Sequence, residues 1–501
     1  MKNIYKASIL ISFSALLLSS GCSKLDINTD PNRPLVDKAT PESLFPAAAI
    51  STAGRVGGDL SIIGGLWAQF WTQNNGSSQY VTLDTYDLQN SSAFINGPYY
   101  ELMTGALSDY KLAIEKSVAN EDWRYNLMNT VMKAYTYQVL VDLFDKVPYT
   151  EALQPEKFLQ PKFDDGYTIY KALIAEIDAA LAKDFRSTAN APEDAKIDLV
   201  FGERGNAAFI TQMDNWERFA NTLKLKMFLR MAYVKPAEAE AGIKAMVDAD
   251  AEFLEVNAGV TAYENVPNRS NPFFEYNFRR LNTTDNLRSS VTLISWLESN
   301  NDPRARVYYG QDSPISAINQ GDFFNAPNHP EYYDAVNPAI SPTAPVWFIT
   351  AAESYFMQAE LFERYYGGDG AELMYNRAVT AAFAEAGLPQ PKNLLEGAYK
   401  YPKAGNLEAK IKVIIVQKWA SFFGSHALEA FFEQNRTGYP EISAVYSTEP
   451  GYKPGDLVYV PRGVTGAGNF PRRFLYPDYE KSRNSNTPAE VPIYTKVWWG
   501  K

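Results

Sequence analysis

A run of aromatic and amide residues between positions 67 and 86 carries the most distinctive chemistry of the chain. Trp71 is followed by Asn74, Asn75 and Tyr80, and Tyr86 lies just beyond. A flat ring can cover the C–H face of a sugar, while amide and hydroxyl groups pair with its hydroxyls. We therefore predict that these five residues contact a neutral sugar ligand. The alternative is that Trp71 packs on a helix face and the polar residues form a solvated loop.

More than one ring is needed for such a site. Covering about 50 Å² of a ring face at about 25 cal/mol per Å² yields only ~1 kcal/mol, whereas a micromolar site needs about 8 kcal/mol. The further candidate rings lie in later irregular stretches of the chain: Phe274, Tyr276 and Trp296, together with Phe273, Phe323, Phe324, Tyr332 and Tyr333. Most of these could equally belong to a hydrophobic core.

The scarcity of histidine and cysteine excludes several classes of function. The 501-residue chain holds two histidines, His329 and His426, and one cysteine, Cys22. A zinc site needs three or four such ligands, and a disulfide needs a second cysteine. Residues 26–37 copy part of a calcium loop, but Pro31 replaces the glycine that the turn requires. We therefore predict no catalytic residue, no cofactor and no metal site.

The charge of the chain disfavours nucleic acid as a partner. The sequence has 47 Lys and Arg against 58 Asp and Glu, a formal net charge of −11. A broad basic field is what attracts nucleic acid, and this chain does not supply one. Aromatic residues make up 14% of the sequence, which also predicts a folded rather than a disordered chain.

The N-terminus predicts a leader followed by a lipid anchor. Residues 1–21 begin with two lysines and continue with an apolar stretch too short to span a bilayer, which is typical of a signal peptide. Cys22 follows directly, in a context similar to a bacterial lipoprotein cleavage site. We predict that Cys22 is lipidated and holds the protein to a membrane. No later stretch is apolar enough to span, so residues 22–501 are predicted to form a single soluble domain.

Helices are predicted to form the frame that holds these candidate residues. Apolar residues recur at helical spacing in six windows. Asp164 and Asp165 are predicted caps of the second helix, a capping box begins at Asp214 ahead of the third, and Gly438 follows the last. The windows are 127–144, 170–181, 214–227, 351–366, 371–386 and 408–434.

Two neighbouring helices have the spacing of a tetratricopeptide repeat. Large and small residues fall in order at the positions of a 34-residue frame. Small residues let two helices approach, and the aromatic residues fill the space beside them. The predicted fold is therefore mostly α, a tetratricopeptide-like helical-repeat scaffold. The residues in that frame are Tyr355, Ala359, Phe362, Ala371, Tyr375 and Ala378.

Long irregular stretches separate the predicted helices. Loops of this length are uncommon unless they carry function, and binding residues often lie on loops held by a rigid frame. We therefore predict a loop-rich binding lobe beside the helical scaffold. The scaffold lies mainly at about 100–255 and 347–437, and the lobe at about 54–97, 256–346 and 438–501.

Short motifs in a fixed order along the chain resemble the SusD/RagB family, the SusD-like outer-membrane lipoproteins of Bacteroidetes. No single motif is diagnostic, but their order is. They include residues 25–32 (LDINTDPN), 145–152 (DKVPYTEA), 216–226 (WERFANTLKLK), 349–353 (ITAAE), 417–419 (QKW) and 436–440 (RTGYP), followed by Arg473 and by Tyr476-Pro477.

The resemblance implies a binding protein rather than an enzyme. Family members dock on a SusC-like TonB-dependent barrel in the outer membrane and face the cell exterior. There they capture oligosaccharides, or oligopeptides in some members, and release them inward. The resemblance implies that the lipid on Cys22 is the only membrane contact. It also implies that the loop at 71–80 occupies the position of a ligand-binding loop of the family.

Two alternatives to oligosaccharide capture stay open. A peptide-capturing member of the same family would depend on arginine side chains more than on flat rings. A glycoside hydrolase would use a pair of carboxylates that spacing along the sequence cannot identify.

Overall fold

The computed structural model describes residues 38–88, 92–187, 198–202, 209–281, 285–466 and 468–501. The predicted signal segment 1–21, the lipidation site Cys22 and the calcium-like run 26–37 lie outside these residues. Within the described ranges, no helix combines the length and the apolar character needed to cross a bilayer.

Most of the described chain is helical, which confirms the predicted fold class. A π-helical segment, Glu101–Ala106, joins two α-helices directly. A second π-helical segment, Glu275–Arg279, and two 3-10 segments, Phe323–Asn328 and Pro330–Asp334, lie in the irregular regions. The α-helices are α1 (Pro41–Val56), α2 (Asp59–Trp67), α3 (Val81–Asp84), α4 (Ser92–Tyr100), α5 (Leu107–Ala119), α6 (Trp123–Phe144), α7 (Gly166–Leu181), α8 (Phe209–Met231), α9 (Pro236–Asp248), α10 (Pro272–Phe274), α11 (Val291–Ser299), α12 (Arg304–Tyr309), α13 (Ala351–Tyr365), α14 (Ala371–Glu385), α15 (Lys392–Glu396), α16 (Leu407–Ser421), α17 (Ala427–Thr437) and α18 (Asp478–Arg483).

Local signals place some helix ends correctly and miss others. Asp165 caps α7 by accepting the Thr168 backbone N–H at 3.0 Å, and α17 stops at Gly438, whose φ is 83°. The capping box predicted at Asp214 is wrong, because α8 begins upstream and Asp214 lies inside it. The window predicted as one final helix is two, since Gly424 between α16 and α17 has a φ of 91°, which interrupts a right-handed helix.

The tetratricopeptide-like pair is formed by α13 and α14. Ala359, Ala371 and Ala378 are fully buried, which allows the two helices to approach closely. The rings of Phe356 and Tyr375 meet edge to face with centroids 6.2 Å apart. The small residues and Tyr375 therefore pack as the repeat spacing predicts, whereas Tyr355 and Phe362 are half-buried at the edge of this cluster and Phe356, outside the predicted frame, fills its centre.

Three short antiparallel pairs of strands are the sheet content of the described residues. β1 (Trp71–Gln73) pairs with β5 (Leu287–Ser289), and β2 (Lys146–Pro148) pairs with β3 (Phe163–Asp165). β4 (Ala258–Val260) pairs with β6 (Val346–Ile349). The first and third pairs join chain segments that are far apart in sequence, so they fix irregular regions to one another.

A network of buried charges ties the helices together. Arg436 on α17 forms a two-pronged pair with Glu360 on α13, at 2.7 Å for each bond, and also binds Glu433. Arg230 on α8 pairs with Glu433 at 2.6 Å and with Asp142 on α6 at 3.1 Å. Because each cation meets at least two carboxylates, four helices are connected through side chains that water does not reach.

The three irregular stretches also contact one another. The Gln69 side-chain amide donates to the Val458 carbonyl at 2.7 Å, and Asn75 donates to the Phe323 carbonyl at 2.9 Å. The Tyr446 hydroxyl donates to the Gln320 carbonyl at 2.7 Å. Hydrogen bonds thus connect each stretch with the other two, and they support the recesses described below.

Candidate ligand-binding site

The aromatic residues that follow α2 belong to the core. Trp71 is fully buried, and its indole N–H donates to the Ile62 carbonyl at 2.9 Å. Tyr80 and Tyr86 are only 3% and 2% exposed. All three residues of β1 are buried, so neither face of this strand looks onto solvent. A buried ring offers no face to a ligand, which corrects the expectation that Trp71, Tyr80 and Tyr86 contact a sugar.

The two asparagines of the same loop differ in their surroundings. Asn74 is 8% exposed, donates to the Asp285 carbonyl at 2.5 Å and accepts the Gly76 backbone N–H at 3.2 Å. These bonds hold the turn, and they correct the expectation that the Asn74 amide is free for a ligand. Asn75 is half-buried and donates its side-chain amide to the Phe323 carbonyl, while its side-chain oxygen has no hydrogen-bond partner among the described residues. A ligand contact of Asn75 stays a prediction.

Two of the later rings are engaged with other side chains. Trp296 is half-buried and stacks on Tyr399, with ring centroids 5.3 Å apart and an interplanar angle of 6°. Phe274 is half-buried between Phe278, at a ring distance of 5.1 Å, and the Arg279 guanidinium, at 5.2 Å. One face of Trp296 is thus covered by protein. Ligand contacts of both rings stay predictions.

Tyr276 lies on an open groove. This recess of 490 Å³, which we call the Tyr276 groove, lies between α1, the first π-helical segment and residues 262–280. Its volume is within the range of about 300–1,000 Å³ that is common for ligand sites. The residues that decide its chemistry are Ser51, Arg55, Glu101, Asn268, Tyr276 and Arg280.

Two guanidinium groups surround the Tyr276 ring. Arg55 donates to the Tyr276 hydroxyl at 2.7 Å and to Asp59 at 3.0 Å, which fixes the edge of the ring. The Arg280 guanidinium lies 5.1 Å from the ring centroid. Burial raises the pKa of Asp59 to about 6 although the charge of Arg55 opposes the change, and burial also raises the pKa of Tyr276. The Tyr276 ring is therefore held in a fixed position, and its hydroxyl group stays protonated at neutral pH.

The rest of the groove offers hydrogen-bonding groups. The Ser51 hydroxyl donates to Glu101 at 2.8 Å, and Arg280 makes a long bond of 3.3 Å to the Asn268 side chain. Among the described residues, Arg280 has no carboxylate partner within 4 Å, so its guanidinium can bind another acceptor. A ring flanked by carboxylate, amide and guanidinium groups suits a hydroxylated ligand.

Both walls of the groove carry a π-helical turn. Glu101 begins one of these segments, and Tyr276 belongs to the other. π-helical turns are rare and often occur at functional sites, because the wider turn redirects side chains. Their occurrence on both sides of one recess supports the choice of the Tyr276 groove as the candidate site.

Sequence reasoning missed Arg55, Glu101 and Arg280. Arg280 follows the aromatic run 273–278 and Glu101 follows Tyr99 and Tyr100, but neither position shows that its side chain faces a groove. The bond between Arg55 and Tyr276 joins positions 221 residues apart. For Arg55, the local signal is its pairing with Asp59 four residues later, which is also an ordinary helix-surface pattern.

The fold is that of a helical-repeat protein with recesses built from irregular segments, and comparisons with known proteins identify its family. A SusD-like family model, described as starch-binding and associating with the outer membrane, matches residues 31–462. Since this is more than half of the chain, the protein belongs to the SusD-like family. A search of curated proteins finds no match.

Solved structures show the same fold. A SusD homologue from Bacteroides uniformis has a TM-score of 0.72 and 19% sequence identity, covering 91% of this chain and 99% of its own. A chitin-binding SusD homologue from Flavobacterium johnsoniae has a TM-score of 0.71 and 19% identity, covering 91% and 97%. A SusD-like protein from Bacteroides thetaiotaomicron has a TM-score of 0.69 and 19% identity, covering 91% and 98%.

Proposed function

We propose that this protein captures oligosaccharides in the Tyr276 groove, without chemical change, and delivers them to a SusC-like TonB-dependent transporter. The observation that carries the proposal is the Tyr276 ring, held at its edge by Arg55 and bordered by hydrogen-bonding groups in an open recess. Membership in a family described as starch-binding supports the ligand class, as does the fold shared with a chitin-binding homologue.

The proposal includes a place in the cell. The lipid on Cys22 would hold the protein in the outer membrane facing the cell exterior, with no other membrane contact. The family's association with the outer membrane supports this location. A transporter barrel below the captured ligand would give the protein its partner, and neither a cofactor nor a catalytic residue has a role in the proposal.

The test is a pair of substitutions at one ring. Tyr276→Ala removes the stacking surface, and Tyr276→Phe keeps the ring but loses the bond to Arg55. If stacking contributes about 1 kcal/mol, Tyr276→Ala weakens binding about fivefold, and Tyr276→Phe weakens it less. Isothermal titration calorimetry against a panel of neutral oligosaccharides measures both. Tyr494→Ala is the matched control, because Tyr494 is 42% exposed and lies outside the groove.

The outcome separates the proposal from its two alternatives. Unchanged affinity in Tyr276→Ala contradicts the assignment of the groove. If the wild type binds oligopeptides but no oligosaccharide, and Arg280→Ala abolishes that binding, peptide capture replaces sugar capture. Release of reducing ends during incubation with polysaccharides would instead show a hydrolase.

A further inference from the structure

A second recess lies in another part of the irregular region. It has a volume of 410 Å³, and we call it the Tyr446 hollow. No residue lines both this recess and the Tyr276 groove. Three rings border it, together with an amide and two carboxylates: His329, Tyr446, Tyr459, Asn325, Asp322 and Glu449. Aromatic rings next to amide and carboxylate groups form the type of surface that suits a sugar.

The walls of the hollow are fixed by hydrogen bonds. Tyr446 donates its hydroxyl proton to the Gln320 carbonyl at 2.7 Å, so the ring cannot swing into the recess. Asp322 is 4% exposed and accepts bonds from the Tyr332 hydroxyl at 2.7 Å and from the Asn325 amide at 2.8 Å. The hollow therefore has its shape before any ligand arrives, which reduces the entropy cost of binding.

An exposed aromatic residue is the chain neighbour of a residue that lines the hollow. Phe324 precedes the lining residue Asn325 and is 47% exposed. The Arg462 guanidinium lies 5.2 Å from its ring centroid, and Arg462 itself follows the lining residue Pro461. Phe324 thus has exposed ring surface one residue along the chain from the hydrogen-bonding side chain of Asn325, and stacking on a sugar requires such a surface.

The two recesses differ in charge. The hollow is lined by two carboxylates, Asp322 and Glu449, and by no lysine or arginine. The Tyr276 groove is lined by three arginines and two glutamates, and its Arg280 lacks a carboxylate partner among the described residues. A ligand carboxylate placed beside Asp322 and Glu449 in the hollow would be repelled, whereas a neutral or amino sugar would not.

We propose that the Tyr446 hollow is a second sugar-binding site, specific for neutral or amino sugars and separate from the Tyr276 groove. This inference rests on the proposed function, because it extends the same ligand class to a second recess. The protein then holds two sugar residues at once, with Phe324 stacking on the one in the hollow and Asn325 and Glu449 binding its hydroxyls.

The first test counts sites with short probes. Calorimetric titration with neutral trisaccharides, such as maltotriose and chitotriose, is expected to give two sites per chain. Phe324→Ala should weaken one of them about fivefold or more, while Tyr276→Ala weakens the other. Phe158→Ala is the matched control, since Phe158 is 37% exposed and lines neither recess.

The second test reverses the charge of the hollow. Glu449 is exposed, so Glu449→Lys should leave the fold intact. This variant is expected to bind trigalacturonate in the hollow, where the wild type does not. Its affinity for maltotriose at that site should fall at least twofold.

The results distinguish failure of this inference from failure of the proposed function. A single site that responds to Tyr276→Ala but not to Phe324→Ala or Glu449→Lys overturns the second site and leaves the proposed function standing. Absence of binding to every sugar by the wild type overturns both. Two sites with the expected pattern of losses support the inference.

Discussion

Trp71 gives the sharpest test of the packing, because its ring was predicted from sequence to face a ligand. The buried indole meets Phe273 and Phe423 edge to face, with centroids 5.1 and 5.5 Å apart, and its N–H donates to the Ile62 carbonyl. Replacement of a buried tryptophan by alanine costs about 3–5 kcal/mol. We expect Trp71→Ala to lose about 4 kcal/mol of unfolding free energy, measured by urea denaturation followed by circular dichroism.

A neighbouring glycine makes this test specific. A Cβ placed on Gly65 would lie 2.0 Å from the Trp71 ring, so Gly65→Ala cannot fit in the wild type. In Trp71→Ala the space is vacated, and the added methyl group should cost much less. A double-mutant cycle is therefore expected to show a favourable coupling of about 2 kcal/mol between the two positions.

The binding assay completes the test. Trp71→Phe retains most of the packing and should bind oligosaccharide like the wild type, because Trp71 lines neither recess. If Trp71→Ala instead kept its urea midpoint and lost sugar binding, the ring would be a ligand contact and the argument from burial would be wrong.

Three further predictions concern the charged core and the anchor. Arg436→Ala leaves Glu360 and Glu433 buried without their partner and should destabilise the fold by about 3–5 kcal/mol in urea denaturation, whereas a change at an exposed arginine such as Arg462→Ala should have little effect. Burial raises the pKa of Asp84 to about 7, so its protonated form stabilises the fold at low pH, and this contribution is lost as the pH rises through 7. At Glu353 the effect of burial is outweighed by nearby positive charge, to which Lys226 contributes, and the pKa is lowered to about 2. The stabilisation by ionised Glu353 is lost as the pH falls from 4.5 toward 2. The urea midpoint should therefore be highest at about pH 4 and should fall from there toward pH 7, and a continuous rise over that range would contradict this. Cys22→Ser should move the protein out of the membrane fraction, as followed by immunoblotting, and retention there would disprove the lipid anchor.

The helical scaffold could be predicted because its signals are local. These signals depend on residues within one or two helices. They are the cap at Asp165, the helix end at Gly438 and the spacing of the small residues Ala359, Ala371 and Ala378. At such positions, the chain neighbours supply most of the environment. Asp214 shows the limit, since a good capping pattern has no effect when the helix already begins further upstream.

The candidate site could not be predicted in the same way. Trp71 and Asn74 stand in a run whose composition suits both a binding surface and a core, and the pairing of β1 with β5 decides between them. That pairing joins Thr72 with Arg288, more than 200 residues later, so no local pattern reveals it. The same holds for the contact between Arg55 and Tyr276.

Buried charge is the least predictable feature of the fold. Arg230 and Arg436 are 1% and 0% exposed, although arginine is a typical surface residue. Each is stable there because carboxylates from several helices surround it, and a sequence does not show which carboxylates will meet. Loss of one partner leaves an unpaired charge in the core, so a substitution at one of these positions destabilises the fold unless its partners change as well.

Local charge, and not net charge, governs what each recess can bind. The chain carries a net charge of −11, which would repel acidic ligands at long range. Within the Tyr276 groove, however, Arg280 lies beside the ring without a carboxylate partner among the described residues, whereas Arg55 is paired with Asp59. At this short distance the charge of Arg280 outweighs a field that salt screens within about 10 Å. An acidic sugar that is disfavoured in the Tyr446 hollow can therefore still be held in the groove. Binding of uronate-containing oligosaccharides should accordingly weaken in Arg280→Ala, while binding of neutral ones changes little.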